Sequence, residues 1–418
     1  MIIASPRLSG IARCAWIFLL VTACVPPVSS TPSASTVAPT PTSAKTPTQP
    51  LPSTHTVGPI PTSSAPSSEP QSDHPLDDLL TLVADSTGDL DEFRLVDGAG
   101  KILETWDVFT RTSGAFNYYV GYPSLSPNGR WLAVTKADDV TESFVVDLTT
   151  REILGPYYLD PSPDWSPDSL RLAFTQNGRV GILDLATGNQ VFLTEGVCRD
   201  PQWDPSGTRI AYYQTPADQA DVGFVAWSYE LHVIDVDGGH ENTIAANALL
   251  VTNDVDISEA NGGFGPAGSA DGQAIAYVSG ELSPDGAAGP TGMDISVVSI
   301  TNNTIHTIVS QIGNDGSPSW SPDGTQIAFV NTREGRAIIS IADTQAGAIR
   351  PLSPTTGDME YVSPIWSFNG QWIAMGTIRG ERPPSVAIVR PDGSGFQVVA
   401  PQSVDYQKPI WVKRDSLP

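Results

Sequence analysis

Few side chains in this sequence combine the residue type and the spacing that catalysis or metal binding requires. The five histidines show no spacing typical of metal ligands, and they are His55, His74, His232, His240 and His306. No Gly-x-Ser-x-Gly segment is present, which excludes the nucleophile elbow of an α/β-hydrolase. The sequence therefore predicts no catalytic residue and no metal ligand.

Two acidic clusters are the remaining candidates for ion binding. The first contains Asp85, Asp89, Asp91 and Glu92, and the second contains Asp235 and Asp237. Ca²⁺ prefers oxygen-rich loops of this kind, but neither cluster follows the residue order of an EF-hand. No cofactor is predicted, and Ca²⁺ is the alternative.

The three cysteines do not provide a disulfide framework. Cys14 and Cys24 lie in an N-terminal export segment, which leaves Cys198 alone in the rest of the chain. A lone cysteine cannot form an intramolecular disulfide, so we predict that Cys198 is a small buried apolar residue.

The formal net charge of −24 limits the partners of the chain. Nearly all of this charge lies beyond residue 75, because residues 1–75 contain only Arg7, Arg13, Lys45, Glu69 and Asp73 as charged side chains. A negative field repels phosphate backbones, so nucleic-acid binding is disfavoured. Either the charge keeps an exported protein soluble, or an acidic surface attracts cations or a basic partner.

Residues 1–24 have the three parts of a secretory signal. Arg7 and Arg13 supply the positive region, and the apolar core at 15–21 is too short to span a bilayer. Val21-Thr22-Ala23-Cys24 resembles the lipobox of bacterial lipoproteins, in which the cysteine becomes the acylated first residue of the mature chain. The resemblance implies lipidation at Cys24, and the alternative is an ordinary signal peptide with a chance cysteine.

Residues 25–75 are rich in Ser, Thr and Pro and contain no aromatic residue. Such a segment has no large apolar side chains whose burial could offset the conformational entropy lost on ordering. We therefore predict a disordered tether. The folded domain is predicted at 76–418. The expected location is the cell envelope, on the outer side of the cytoplasmic membrane or at the cell surface, with the lipid anchor as the only membrane contact.

One motif recurs beyond residue 75. Its clearest copy, at 318–329, is Pro-Ser-Trp-Ser-Pro-Asp-Gly-Thr-Gln-Ile-Ala-Phe. Each copy predicts a short strand, a Ser-Pro-Asp-Gly β-turn and a returning strand. Seven prolines, which we call anchor prolines, begin the copies at intervals of 38 to 65 residues, and they are Pro123, Pro163, Pro201, Pro266, Pro318, Pro364 and Pro409.

Apolar runs that end in Asp follow the copies and predict third and fourth strands joined by a hairpin. The chain is therefore predicted to be an all-β, seven-bladed β-propeller of four-stranded antiparallel blades. Strands predicted at 79–84, 92–96 and 101–106 lack a first strand, which Pro409–Val412 supplies. The C-terminal strand thus joins the N-terminal blade, closes the ring and leaves no free edge, which favours a monomer. Six or eight blades also fit the spacings.

The repeated pattern Pro-x-Trp-Ser-Pro-Asp-Gly-x-x-Ile-Ala-Phe covers about residues 79–413. It resembles the propeller repeat of the TolB family and of the propellers of prolyl oligopeptidases. The resemblance implies the fold and no activity, because this fold supports many functions. TolB has an α/β domain before its propeller, where this chain has the Pro/Thr-rich tether, so no catalytic residue is carried over.

The longer connections fall on one face of the predicted ring, at 107–122, 214–229, 245–265, 279–293 and 353–363. Aromatic residues and Arg are favoured at interfaces, and loops on a rigid scaffold often carry function. The predicted partner-binding residues on this face are Tyr118, Tyr119, Tyr157, Tyr158, Trp227, Tyr361, Arg379 and Arg382. The alternative is that several of these aromatic residues cover blade edges.

Together these features predict a surface-tethered extracytoplasmic scaffold that binds a protein, peptide or glycan partner. The alternative is a metal-assisted extracytoplasmic hydrolase or lyase acting on a polysaccharide or peptide. A structural envelope component without a small ligand is the third interpretation.

Overall fold

The computed structural model describes residues 80–412 apart from short gaps. The gaps are 86–89, 98–100, 111–118, 138–140, 161, 217–227, 250–264, 283–289, 311–312, 334–335, 356, 358, 380–381 and 401–408. Every described residue belongs to the segment 68–418. The predicted signal peptide, Cys24 and the tether lie outside the described residues.

The described residues form β-strands and no helix. The first eleven strands are β1 Leu80–Asp85, β2 Leu90–Val96, β3 Ile102–Thr110, β4 Tyr119–Leu125, β5 Trp131–Ala137, β6 Thr141–Asp147, β7 Ile153–Tyr157, β8 Asp164–Trp165, β9 Arg171–Gln176, β10 Arg179–Asp184 and β11 Gln190–Phe192. The next twelve are β12 Cys198–Trp203, β13 Arg209–Gln214, β14 Ser228–Asp235, β15 Glu241–Leu249, β16 Ala267–Gly268, β17 Ala274–Leu282, β18 Pro290–Ser299, β19 Ile305–Val309, β20 Asn314–Trp320, β21 Gln326–Arg333, β22 Arg336–Asp343 and β23 Ile349–Pro351. The last five are β24 Glu360–Trp366, β25 Ile373–Arg379, β26 Arg382–Val389, β27 Gln397–Ala400 and β28 Ile410–Val412. In this part of the chain, therefore, no helix is available to cross a membrane.

From β4 onward, the strands pair antiparallel in chain order in groups of four, which we call quartets. The quartets β4–β7, β8–β11 and β24–β27 are separate four-stranded sheets. The quartets β12–β15, β16–β19 and β20–β23 belong to one twelve-stranded sheet. Among the described residues, the strand pairing between these three quartets consists of the isolated residue pairs Ala248↔Ser279 and Met293↔Asn314. The architecture is that of a β-propeller, as the repeat predicts.

The two ends of the described chain share one sheet, in the order β28-β1-β2-β3. Leu80 pairs with Val412, and Leu82 pairs with Ile410. The strand that follows the last anchor proline therefore occupies, beside β1, the place that a first strand has in the other quartets. We call these seven first strands, β4, β8, β12, β16, β20, β24 and β28, the anchor strands.

A buried serine explains the first turn of most quartets. The Ser321 hydroxyl donates to Asp323 Oδ1 at 2.6 Å and accepts the Gln326 N–H at 2.9 Å. The Gly324 N–H then closes the turn on the Ser321 carbonyl, with Gly324 at a φ of 71°. Glycine adopts this left-handed conformation at no steric cost, so Ser-Pro-Asp-Gly is suited to the hairpin. In β12–β15, Asp204 replaces the serine and accepts the Arg209 N–H at 2.9 Å.

Two of the departures from the Ser-Pro-Asp-Gly sequence show that its geometry is kept. Ser169, in place of the glycine, adopts a φ of 62° and still donates its N–H to the Ser166 carbonyl. Its hydroxyl also accepts the Asn128 N–H of the neighbouring turn at 3.0 Å. Phe368 stands in place of the proline, and the Gly370 N–H still reaches the Ser367 carbonyl. A substituted turn residue is therefore compatible with the same hairpin.

The aspartates that end the third strands organise the second hairpin. Asp147 Oδ1 accepts the N–H groups of Thr149 and Thr150, and its Oδ2 accepts two bonds from the Arg130 guanidinium at 2.6 and 3.0 Å. Burial opposes ionisation of this side chain, but these hydrogen bonds outweigh it and lower the pKa of Asp147 to about 2.

The hydrophobic core lies between successive quartets. Val145 of β6 packs in one cluster with Phe174 of β9, and Trp411 of β28 packs in another with Val386 of β26. Full burial of one such side chain contributes about 1.5–3 kcal/mol. Each quartet therefore depends on its neighbours for a core.

Candidate functional site

The anchor strands bend just before their prolines. The preceding residue has a left-handed φ in four quartets, at Ser162 (73°), Asp200 (50°), Ser317 (51°) and Ser363 (49°). Register shifts at the same place mark β-bulges in β12, β20 and β24. A bulge re-aims a side chain. Asp200 is the ionisable member of this set, since the other three residues are serines.

Tryptophans connect successive anchor strands through what we call indole bridges. In each bridge, an indole Nε1 donates to a main-chain carbonyl of the preceding anchor strand. The four bridges are Trp165 to Ser124 at 2.9 Å, Trp320 to Ala267 at 2.8 Å, Trp366 to Ser319 at 3.1 Å and Trp411 to Ile365 at 3.0 Å. Every donor lies two residues after its anchor proline, and every acceptor lies one residue after its own.

The bridges are interrupted on both sides of β12. Trp203 has the donor position, but its Nε1 is buried without a hydrogen-bond partner among the described residues. Its ring lies 4.7 Å from the Arg171 guanidinium, and its backbone N–H donates to Asp164 Oδ2 at 2.7 Å. In the next anchor strand, β16, Gly268 has the donor position and provides no indole.

A cavity of about 350 Å³ runs along the anchor strands, from Ser317 and Ser363 before their prolines to Pro322 and Phe368 in the first turns. We call the end of the strands that carries these turns the turn end. The cavity wall includes Gln202, Gly268, Trp320, Trp366 and Phe368, and none of its lining side chains is charged. Phe368 is 52% exposed. The cavity therefore offers aromatic surface and main-chain polar groups to a ligand.

A charged cluster lies at the opposite end of the anchor strands, which we call the link end. The positive charge of Arg199 acts on Asp160, Asp200 and Tyr229. Burial raises the pKa of Asp200 to about 6, and Arg199 opposes this effect. Asp200 also packs closely against the main chain, since a Cβ added to Gly265 would lie 3.3 Å from Asp200 Cβ. A carboxyl group that exchanges its proton near neutral pH is suited to general acid–base chemistry.

Two of the predicted partner-binding residues lie side by side at the link end. Tyr158 is 54% exposed, and Tyr157 is half-buried. Burial raises the pKa of the Tyr157 hydroxyl. Gln176, at the end of β9, donates a side-chain hydrogen bond to the Tyr158 carbonyl and holds the main chain there. The pair can therefore present aromatic surface from a fixed backbone.

Tyr361 is a correction to the predicted surface. Its side chain is only 2% exposed and packs edge-on against Phe396, with the ring centroids 5.8 Å apart. Long-range packing of β24 against its neighbours thus places this ring in the core. The structure gives main-chain positions for Tyr119, Arg379 and Arg382, at ends of strands β4, β25 and β26. Tyr118 and Trp227 lie outside the described residues. Strands also extend into the connections that were predicted to be long. β14 occupies the end of 214–229, and β18 occupies the end of 279–293.

The cluster of polar side chains around His232 was not predicted from the sequence. His232 Nε2 lies 3.2 Å from Glu230 Oε2, and His232 Nδ1 lies 3.1 Å from Glu241 Oε1. The imidazole stacks on Tyr212 at a centroid distance of 5.5 Å, and the Tyr212 hydroxyl donates to Glu241. These side chains come from β13, β14 and β15, so only the register of three strands brings them together.

The remaining candidates from the sequence are Cys198 and the two acidic clusters. Cys198 is 2% exposed, and burial raises the pKa of its thiol to about 11, as expected for an inert buried residue. Within the described ranges, no group of three or more His, Cys, Asp or Glu side chains is arranged to hold a metal ion. Asp89, a member of the first acidic cluster, lies outside those ranges.

Comparison with known proteins agrees with the repeat. Residues 264–412 match the family model described as the TolB β-propeller domain (PD40). TolB of Hydrogenovibrio crunogenus is 30% identical over 95 residues, which are 21% of this chain and 22% of that protein. This chain thus matches less than a quarter of that curated relative's length.

Solved structures share the fold at low identity. An oligogalacturonate lyase from Vibrio parahaemolyticus has a TM-score of 0.52 at 13% identity, over 78% of this chain and 86% of the lyase. A prolyl endopeptidase has a TM-score of 0.52 at 11% identity, over 77% of this chain and 49% of that chain. At these identities the likeness concerns the fold alone. The folded part of the chain is a β-propeller. More specifically, residues 264–412 carry repeats of the TolB propeller type.

Proposed function

We propose that this protein is a seven-bladed propeller, tethered in the cell envelope, that binds a protein, peptide or glycan partner at its link end. The observation that carries the proposal is the exposed Tyr158 beside Tyr157 on an anchored backbone. Aromatic rings of this kind supply large contact area at interfaces. The matched TolB repeat supports an interaction scaffold, since a curated relative that shares it is the Tol-Pal system protein TolB.

The strand order supports seven blades and a closed ring. The six quartets from β4 to β27 would be six blades, and β28 with β1–β3 would be the seventh. Each indole bridge spans 41 to 53 residues, which corresponds to one blade. Closure would leave no incomplete sheet at the ends of the ring and would favour a monomer. Sedimentation equilibrium tests the monomer, and a dimer at micromolar concentration would contradict it.

The envelope location rests on the N-terminal sequence. Cys24 in its lipobox-like setting supports lipidation, and the 25–75 segment would hold the propeller away from the membrane. Metabolic labelling with a fatty-acid analogue tests this part. Label in the wild-type chain and none in Cys24→Ser is the expected result, and label in both would refute lipidation at Cys24.

The partner site is tested by crosslinking in intact cells followed by capture of the chain. Tyr158→Ser should reduce the crosslinked partner several-fold, because it removes an exposed aromatic contact. Leu170→Ser is the matched control, since Leu170 is 57% exposed and lies in the turn at the other end of β9. Equal capture by both variants would refute the link-end site.

A metal-assisted hydrolase or lyase is the second candidate, and the pKa of about 6 at Asp200 favours it. A screen with acidic and neutral polysaccharides and with peptides, with and without a chelator, separates the two functions. Chelator-sensitive turnover that is lost in Asp200→Asn would establish the enzyme. No turnover under any of these conditions would leave the binding function.

A further inference from the structure

We propose that the turn-end cavity binds a planar aromatic ring with an N–H donor, of the indole type, in the place where β16 lacks its tryptophan. The ring would lie between Gly268 and Gln202 and donate to the Gln202 carbonyl. This would supply the indole bridge that is missing between β12 and β16. The inference does not depend on the proposed function, because neither Tyr157 nor Tyr158 lines the cavity.

Gly268 is structurally equivalent to the bridging tryptophans. It follows its anchor proline by two residues, as Trp320 and Trp366 do. Gly268 pairs with Ile275 in the same way that Trp320 pairs with Ile327 and Trp366 with Ile373. A side chain at 268 would therefore start from the same place in the quartet as a bridging indole. By this equivalence, the acceptor of the absent bridge is the Gln202 carbonyl.

The space for a ring is open. A Cβ added to Gly268 would meet no atom within 4 Å. The cavity of about 350 Å³ extends from Gln202 past Gly268 to Trp320 and Trp366. This volume is at the lower end of the range for small-molecule sites, about 300–1,000 Å³. One bicyclic ring is thus a suitable occupant.

The chemistry of the wall selects a neutral aromatic ligand. The cavity has no charged side chain, and the net charge of −24 disfavours anions. The Nε1 groups of Trp320 and Trp366 already donate to main-chain carbonyls, so these residues offer ring surface for stacking. A main-chain carbonyl has two lone pairs and can accept a bond beside that of the strand ladder.

The same ring can come from two sources, a free indole or a tryptophan side chain of a peptide. Calorimetric or ligand-observed NMR titration of the full chain with indole and with N-acetyl-L-tryptophanamide distinguishes them. We expect a Kd on the order of 1 mM for at least one probe, as suits a ligand of this size. Tighter binding of the amide would identify a peptide source, and equal binding would identify the ring itself. If neither probe binds at a concentration roughly 10-fold above this Kd, the inference is overturned.

Two further comparisons locate the site. In the wild-type chain, 1-methylindole should bind about fivefold more weakly than indole, because methylation removes the donor. Gly268→Trp should abolish binding and raise the Tm, since its own ring fills the cavity. Gly292→Trp is the matched control, because Gly292 also lies in a strand and has open space at its Cβ. Unchanged binding in Gly268→Trp, or equal affinity for indole and 1-methylindole, would overturn the proposed bridge.

Discussion

The indole nitrogen of Trp411 donates a hydrogen bond to the main-chain oxygen of Ile365, 3.0 Å away. Trp411 belongs to β28 and Ile365 to β24, so the bond joins the last anchor strand to the one before it. Trp411 is only 3% exposed. The bond therefore attaches the C-terminal strand to β24, in addition to its pairing with β1.

Replacement of Trp411 tests the contribution of an indole bridge. Trp411→Phe keeps most of the ring packing and removes the donor, so we expect the free energy of unfolding to fall by about 1–3 kcal/mol. Urea denaturation followed by circular dichroism measures this change.

Trp203→Phe is the matched control for Trp411→Phe. It removes a buried N–H that has no partner in the described part of the chain, so its cost should be at least ~1 kcal/mol smaller. Equal costs for the two substitutions would mean that the bridge contributes nothing beyond packing.

Asp147 should make the free energy of unfolding depend on pH in the acidic range. Its pKa is about 2 in the folded protein and about 3.8 in the unfolded chain, so ionised Asp147 stabilises the fold above pH 4. This contribution disappears as the pH falls from about 4 to about 2. Asp147→Asn should therefore lower stability by about 1.5 kcal/mol at pH 7 and by much less at pH 2. A loss of constant size across that range would contradict the account.

Asp200 should have the opposite pH dependence. Burial raises its folded pKa to about 6, so the folded protein binds the proton more tightly than the unfolded chain does. Its effect on stability is most favourable below about pH 4 and becomes less favourable as the pH rises through 6. Asp200→Asn should stabilise the protein by about 1–2 kcal/mol at pH 7.5 and hardly change it at pH 4.

Asp204→Asn provides the contrast to Asp200→Asn. Burial opposes ionisation of Asp204, but bonds from the Ser206 hydroxyl and the Arg209 and Thr208 N–H groups outweigh it and lower its pKa. This substitution should destabilise the protein at pH 7.5, and the loss should shrink as the pH falls through the folded pKa. If both substitutions change the stability in the same direction at pH 7.5, burial does not disfavour the ionised form of Asp200.

The turn serines should matter more than their size suggests. Ser321 is 3% exposed, and Ser321→Ala removes its bond to Asp323 and leaves the Gln326 N–H unpaired. We expect a loss of about 1–3 kcal/mol in thermal or urea unfolding. Thr325→Ala, an exposed change in the same turn, should stay within about 0.5 kcal/mol. If Ser321→Ala loses as little stability as Thr325→Ala, the serine does not stabilise the turn.

The sequence predicted the strands well where the signals are local. The strand predicted at 79–84 is β1 Leu80–Asp85, and the strand predicted at 92–96 is β2 Leu90–Val96. Turn chemistry and alternation of apolar residues act within a few positions, so both can be recognised without tertiary structure. The repeat also provided the signal for Gly268, since it stands where other copies have tryptophan. The cavity itself depends on how β12, β16, β20 and β24 approach one another, which no local pattern specifies.

The candidate sites show the limit of sequence-based reasoning. Tyr361 was predicted on a surface, but distant Phe396 packs against it and completes its burial. Likewise, no local pattern indicates the surroundings of His232, because the register of three strands brings Tyr212, Glu230 and Glu241 around it. The burial that raises the pKa values of Asp160 and Asp200 also depends on packing between quartets, so neither shift has a signature in the sequence.

The direction of the indole bridges has a consequence for biosynthesis. Every donor reaches back to an acceptor that precedes it in the chain, as Trp165 does to Ser124 and Trp411 to Ile365. During translation, or during threading through a secretion pore from the N-terminus, the acceptor strand therefore emerges before its donor. Each repeat that carries a bridging tryptophan can therefore bond to one that has already emerged, which gives the four bridges a fixed order of formation in which Trp411 comes last.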